Sequence, residues 1–172
     1  MKTLLILTTS LLILLGYSFP SELKTLHNPN PSPNTSSVSD SNISQLVDTG
    51  NAEKRRIAVN AFTPRKIRIM STEFSLDRGS MDHILRRHHC AYWDGSTKVQ
   101  QTFFRGNMTV EDIANAIESV MQQNENPQKL NSIGRNGIGQ VRGDVNGIRY
   151  VVGVKTGRVG QFYPVNSRKS CS

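Results

Sequence analysis

The chain has 172 residues and a formal net charge of +8, with 21 Lys and Arg against 13 Asp and Glu. This surplus favours a polyanionic partner, namely nucleic acid, an anionic membrane surface or an acidic glycan. After the first 20 residues no apolar run is long enough for a transmembrane helix, which excludes a membrane-spanning domain.

The first 18 residues have the organisation of a secretory signal peptide. Lys2 precedes an apolar run from Leu4 to Leu15, and the small residues Gly16 and Ser18 suit a cleavage site. An uncleaved membrane anchor is the alternative, although the run is short for a span. The pattern predicts a secreted, extracellular protein with no transmembrane segment once the signal is removed.

Residues 19–56 are rich in Pro, Ser and Asn and hold few large apolar side chains, so we expect them to be disordered. The segment ends at Lys54-Arg55-Arg56, which resembles a proprotein convertase site, with an ordinary basic linker as the alternative. Cleavage there would release a propeptide and a single domain of residues 57–172, with its core at about 80–165. That domain carries 16 Lys and Arg against 9 Asp and Glu.

Two further features fit a secretory pathway. Asn-x-Ser/Thr sequons predict glycosylation at Asn34, Asn42 and Asn107, of which the last carries most weight because it lies outside the Ser- and Asn-rich segment. Cys90 and Cys171 would form one disulfide in an oxidising compartment, and two free thiols are the alternative.

Within the expected domain, residues 66–69 predict a short strand and residues 73–79 a turn-rich link. The stretch from Ser80 to Cys90 then holds three of the four histidines. It predicts a helix with Ser80 as N-cap and an apolar pair turned toward the core. Three side chains able to move protons or bind phosphate would lie near one another: His83, Arg87 and His88. A solvated basic helix face is the alternative.

Aromatic residues and a second helix follow. Tyr92 and Trp93 belong either to the core or to a surface that stacks on bases, and Phe103 and Phe104 would anchor the chain to the core. Thr109 predicts the N-cap of a helix that extends to residue 123. Its apolar face is formed by side chains at helical spacing, namely Ile113, Ala116, Ile117, Val120 and Met121. This helix is scaffold.

The C-terminal part changes from helical to alternating periodicity. A polar connection over residues 122–135 leads to predicted strands at about 138–142, 148–154 and 159–164. Asn146-Gly147 favours a type I′ hairpin turn between the first two. The sequence therefore predicts an α+β domain in which short N-terminal helices pack on a C-terminal antiparallel meander.

The order of these motifs is similar to that of a known family. His83-Ile84-Leu85, a second histidine, an aromatic link, an amphipathic helix, a hairpin and a closing Tyr163-Pro164 resemble the bacterial EndoU-type ribonuclease toxin domains. These belong to a fold group with barnase, colicin nucleases and the RelE toxins. The resemblance covers about residues 80–165.

The resemblance implies an endoribonuclease that needs no metal or other cofactor. His83 matches the first catalytic histidine, either His88 or His89 matches the second, and Tyr163 helps to hold the nucleotide. Gln161 stands where the family commonly has Ser or Thr, and it can hydrogen-bond phosphate or base. Cations that would bind the phosphate are Arg86, Arg87 and Lys98.

The chemistry supports the same conclusion independently. Cleavage of RNA without a metal needs a base for the ribose 2′-hydroxyl, an acid for the departing 5′-oxygen and fixed positive charge, and it leaves a 2′,3′-cyclic phosphate. We expect a monomer whose partners are RNA and an immunity or inhibitor protein. A non-catalytic basic module that binds RNA, acidic glycan or anionic membrane is the alternative.

Overall fold

The computed structural model describes residues 40–96, 101–167 and 171, with only the backbone of residues 40–49. These residues belong to one compact unit that extends from Ser37 to Ser172. The signal peptide at 1–18, the expected disorder of residues 19–39, Asn34 and Lys98 lie outside the described residues. In the described part, no helix combines the length and the apolar character needed to cross a membrane.

The described residues form an α+β fold, as predicted. The elements in chain order are α1 (Asp40–Ala61), β1 (Arg65–Ile69), β2 (Thr72–Leu76), α2 (Arg78–His88), a 3-10 turn (Cys90–Tyr92), α3 (Val110–Met121), α4 (Asn126–Ile133), β3 (Ile138–Val145), β4 (Ile148–Lys155) and β5 (Arg158–Pro164). The strands lie in one sheet in the order β1-β2-β5-β4-β3. The predicted antiparallel meander is confirmed as β3, β4 and β5.

Strand β5 joins the two halves of the sheet. It pairs antiparallel with β4 along its length but parallel with β2 at one register position, Ser75 with Arg158. Helix α2 packs against β5, whereas α3 packs against β3 and β4. Apart from Arg158, the edge of β5 that faces away from β4 has no strand partner among the described residues, and α2 packs against this strand.

The core lies between the helices and one face of the sheet. Val141, Val152 and Phe162 are in register on β3, β4 and β5 and are almost completely buried. The predicted apolar face of α3 packs against them, and Thr109 caps α3 through a reciprocal capping box with Asp112. Phe103 and Phe104 are also buried, as expected.

Both hairpin turns of the meander place two consecutive residues at positive φ. The values are 51° and 75° at Asn146-Gly147, which agrees with the predicted type I′ turn, and 47° and 71° at Thr156-Gly157. Asn and Gly tolerate this conformation, but a β-branched threonine does so only with strain.

Helix α1 occupies residues for which the composition predicted disorder. Residues 40–56 are helical, and Val59 near the end of α1 and Phe62 directly after it are buried in the core. The Arg55 guanidinium donates to the Asp82 carboxylate (Nε to Oδ1, 2.9 Å) and to the Tyr92 carbonyl (2.9 Å). Contacts distant in sequence hold the helix, which composition does not reveal.

Three other boundaries differ from the sequence predictions. Residues 72–76 form β2 instead of a turn-rich link, and residues 126–133 form α4, with Pro127 in its first turn, instead of an irregular connection. Helix α2 begins at Arg78, because the Asp77 side chain, not Ser80, caps it by accepting from the Ser80 N–H at 2.8 Å. The structure also pairs Cys90 with Cys171 in a disulfide.

Candidate active site

Two features lie where α2 packs against the outer face of the meander: the stack of His88 on Tyr163, and a cavity lined by His83 and Arg158. Gly143 on β3 faces α3, because a Cβ there would lie 3.2 Å from Val120. Side chains at the alternate positions of the meander therefore point the other way, among them Tyr163. We name the α2–β5 groove for the side chains that border it: His83, His88, Arg158, Gln161 and Tyr163.

A bulge in β5 shapes this groove. The pairing of β4 with β5 shifts by one residue, so that Gly160 has no partner between Val159 and Gln161. Residues three positions apart in a regular strand point to opposite faces, but the extra residue reverses this parity. Arg158 and Gln161 consequently share the outer face with Tyr163.

His88 lies at the C-terminal end of the groove with one nitrogen fixed. Its ring stacks on Tyr163, with centroids 5.4 Å apart and planes at 26°. Nδ1 is 2.8 Å from the carbonyl oxygen of Thr102, so Nδ1 must donate and the neutral ring carries its lone pair on Nε2. The Thr102 hydroxyl in turn donates to the Pro164 carbonyl at 2.6 Å. Burial lowers the pKa of His88, which favours the neutral ring.

His89 points away from the groove and is only 4% exposed. Its Nε2 donates to the Met108 carbonyl at 2.9 Å, and its Nδ1 accepts from the Ala91 N–H at 3.2 Å. The ring also packs against Tyr92, with centroids 4.5 Å apart. Both nitrogens are therefore occupied, and burial lowers the pKa of this imidazole too. Of the two rival histidines, only His88 faces Tyr163.

His83 lies in a cavity at the other end of the groove. His88 follows His83 by five positions, which corresponds to about 7.5 Å along the helix axis and about 140° around it. The cavity has a volume of about 380 Å³ and is lined by Gly79, Ser80, His83, Lys155, Thr156, Arg158 and Gly160. Burial lowers the pKa of His83, and the charges of the two following arginines lower it further.

The arginines of α2 have different surroundings. Arg86 forms an ion pair with Asp94, with Nε 3.7 Å from Oδ2. Arg87 forms no ion pair with another described residue, and the Nε atoms of both arginines are buried without a hydrogen-bond partner among those residues. One turn after His83, Arg87 is the α2 cation that is least committed within the described residues.

Gln161 lies flat on the outer face of the sheet. Its Oε1 accepts a hydrogen bond from Nε2 of Gln140 at 3.3 Å, across the intervening strand. A Cβ at Gly153 would lie 3.1 Å from both Cβ and Oε1 of Gln161. The glycine therefore makes room for the glutamine side chain.

Other predicted residues lie away from the groove. Trp93 is half-buried and packs edge-on against the buried Phe103, with centroids 5.3 Å apart. Asn107 is exposed in the loop before α3, while Asn42 lies in the part of α1 described by its backbone alone. Within the described residues, no three His, Cys, Asp or Glu side chains are grouped as a metal site requires.

The structure adds functional candidates that the sequence analysis missed. Lys155 and Arg158 flank the second hairpin turn and enter the cavity beside His83, and Thr102 fixes the ring of His88. Two cations on either side of a Thr-Gly turn were a visible signal. The face of the sheet from which the Arg158 side chain projects depends on the bulge at Gly160. Strict alternation of side chains along a strand does not predict this bulge.

Comparison with protein-family models, with curated proteins and with solved structures finds no match to this chain. The relationship to EndoU-type ribonucleases thus remains a resemblance of motifs.

Proposed function

We propose that this chain is a secreted endoribonuclease of the EndoU-like toxin type, which cleaves RNA without a metal ion by histidine acid and base catalysis. One observation carries the proposal. The ring of His88, on a helix that also carries His83, is held by the Thr102 carbonyl and by Tyr163, and its Nε2 has no hydrogen-bond partner among the described residues. The net charge of +8 favours a polyanionic substrate.

In this mechanism His88 is the general base and His83 the general acid. Because the lowered pKa of His83 reduces its protonated fraction near neutral pH, we expect the fastest cleavage below about pH 6.5. Nε2 of His88 accepts the proton of a ribose 2′-hydroxyl, and the 2′-oxygen attacks the adjacent phosphorus. As this O–P bond forms, the bond from phosphorus to the 5′-oxygen breaks, and His83 donates a proton to the departing oxygen. The products are a 2′,3′-cyclic phosphate and a 5′-hydroxyl end.

The assignment of the base follows from the environment of His88. A neutral ring with Nδ1 as donor has its lone pair on Nε2, and the lowered pKa keeps that form populated near neutral pH. His83 precedes His88 by five helical positions, about 7.5 Å along the axis and about 140° around it. The mechanism requires the substrate to follow the surface of α2 so that one phosphate contacts both rings.

Other groups of the groove would stabilise the transition state. Arg87, one turn after His83, offers its charge to the phosphorane, whereas Arg86 is engaged with Asp94. The Tyr163 hydroxyl and the Gln161 amide are hydrogen-bonding groups for the nucleotide. Lys98, a candidate cation from the sequence, lies outside the described residues.

The direct test is cleavage of single-stranded RNA in EDTA by the full-length purified chain. We expect fragments that end in a 2′,3′-cyclic phosphate, and we expect a substrate with 2′-deoxyriboses to remain intact. His83→Ala should reduce the rate at least about 100-fold, the lower end for a general acid, with unchanged thermal unfolding. Intact RNA after prolonged incubation with the wild type contradicts the proposal, and RNA binding without product supports a basic binding module instead.

A further inference from the structure

We infer that the cavity beside His83 binds a second RNA phosphate, next to the scissile one, through Lys155 and Arg158. This inference rests on the proposed ribonuclease function, since it assigns the neighbouring subsite of the same groove. It also implies that the substrate is a single-stranded polynucleotide, engaged over at least two consecutive phosphates.

Two positive charges lie opposite each other at the second hairpin turn. Lys155 and Arg158 are direct partners in the register of β4 and β5, so their side chains leave the same face of the sheet. Like charges in this arrangement repel each other and destabilise a hairpin. An anion bound between the two side chains would remove that repulsion.

One nearby carboxylate neutralises this pair of cations only in part. The Asp77 carboxylate contacts Arg158 through one terminal nitrogen, Nη2, at 2.7 and 2.8 Å. Lys155 is exposed and has no ion pair within the described residues. Asp77 therefore orients the guanidinium, while the ammonium group remains available to a ligand.

The turn between the two cations has a strained backbone. Thr156 adopts φ 47°, and a β-branched residue in this left-handed region is strained. Glycine or asparagine would form the turn at lower cost, as Asn146 does in the preceding hairpin. Strain of this kind concentrates at functional sites, and the threonine lines the same cavity as the cations.

The size of the cavity and an exposed apolar side chain beside it both suit a nucleotide. A volume of about 380 Å³ lies near the lower limit for ligand pockets and suits one nucleotide rather than a duplex. Ile138 is the register partner of Lys155 on β3, and it is 70% exposed on the same face. An apolar side chain beside a phosphate-binding cation gives a base or ribose a surface to contact.

The test measures binding of 2′-O-methyl oligonucleotides, which lack the attacking hydroxyl, to the full-length chain. Fluorescence anisotropy with a dinucleotide and a hexanucleotide compares the wild type with Lys155→Gln, while Lys54→Gln removes the same charge from the exposed surface of α1. We expect Lys155→Gln to weaken hexanucleotide binding about fivefold and to lower the slope of log K against log salt by about 0.7. Dinucleotide binding should change little, since its single phosphate occupies the site between the histidines.

Equal hexanucleotide affinity and equal salt slope for Lys155→Gln and Lys54→Gln would overturn the subsite. Ile138→Ser provides a second measurement, because it should weaken hexanucleotide binding without altering the salt slope if a nucleotide, not a free phosphate, fills the cavity. Cleavage of unmodified RNA by the wild type is measured in parallel. Cleavage with no specific effect of Lys155→Gln rejects only the subsite, whereas a specific effect without cleavage rejects only the nuclease activity.

Discussion

The two sides of the C-terminal end of α2 use neighbouring histidines in different ways. His88 faces the groove, with one nitrogen bonded to Thr102 and the other directed away from that contact. His89 faces the interior, where Met108 and Ala91 occupy both nitrogens. His88 is the last residue of α2, whereas His89 is its C-cap with extended backbone (φ −120°, ψ 116°), so the chain changes direction between the two rings. The partners of the two ring nitrogens, rather than the residue type, decide which histidine can transfer a proton.

The largest expected effect tests this contrast directly. His88→Ala should reduce RNA cleavage in EDTA by about 10²- to 10⁴-fold, as expected for a lost general base, and should lower the free energy of unfolding by about 1 kcal/mol because the Thr102 carbonyl loses its donor. His89→Ala should instead lower the free energy of unfolding by about 1–3 kcal/mol, since the Met108 carbonyl loses its donor, and should retain activity. The reverse pattern, in which His89→Ala folds normally but is inactive, would show that the two roles are exchanged.

A smaller effect is expected where α1 supports the His89 side. Arg55→Ala removes the contacts to Asp82 and to the carbonyl of Tyr92, whose ring packs on His89, and should cost about 1–2 kcal/mol in urea unfolding. The matched control is Arg56→Ala, which loses only an exposed pair with Glu53 and should be indistinguishable from the wild type. Equal stability of both variants would indicate that residues up to 56 are dispensable, as a propeptide requires.

The pH dependence of stability should report His89, and the pH dependence of kcat/KM should report His88. Burial lowers the folded-state pKa of His88 and of His89, so the unfolded chain binds protons more readily below about pH 6.5, the ordinary value. Stability is therefore complete above about pH 6.5 and is lost as the pH falls through the folded pKa. We expect His89→Asn to flatten this loss in urea unfolding. The acid limb of kcat/KM should lie below pH 6.5 and report the base, His88.

The smallest effect concerns the outer face of the sheet. Gly153→Ala places a methyl group against Gln161 and should displace its amide from Gln140, which lowers kcat/KM about threefold through one weakened hydrogen bond. Gln140→Ala provides the comparison, since it removes the same partner without adding volume. If both variants cleave RNA at the wild-type rate, Gln161 has no part in binding substrate.

The sequence predicts those parts of the fold that local patterns determine. The apolar spacing of α3, the cap at Thr109 and the Asn146-Gly147 turn each depend on a few adjacent residues, and the structure confirms them. Helix α1 was missed because Arg55 and Phe62 stabilise it through contacts with distant segments. Polar composition alone indicated the opposite.

The candidate site shows the same limit. The cluster of histidines was visible in the sequence, but the choice between His88 and His89 depended on carbonyl groups 14 and 19 residues away. Lys155 and Arg158 were assigned to a turn, because their approach to His83 requires the pairing of β5 and the packing of α2. Tertiary hydrogen bonds and strand register determine these features, and neither has a local signature.

The bulge at Gly160 has a consequence for the search for relatives of this chain. Because of the extra residue, the core positions Val159 and Phe162 are three apart, and so are the groove positions Arg158 and Gln161. A profile that assumes strict alternation along this strand would align half of it with the wrong face. Relatives should therefore be sought with a one-residue gap allowed at this position, and an insertion or deletion there would exchange Phe162 and Tyr163 between core and groove.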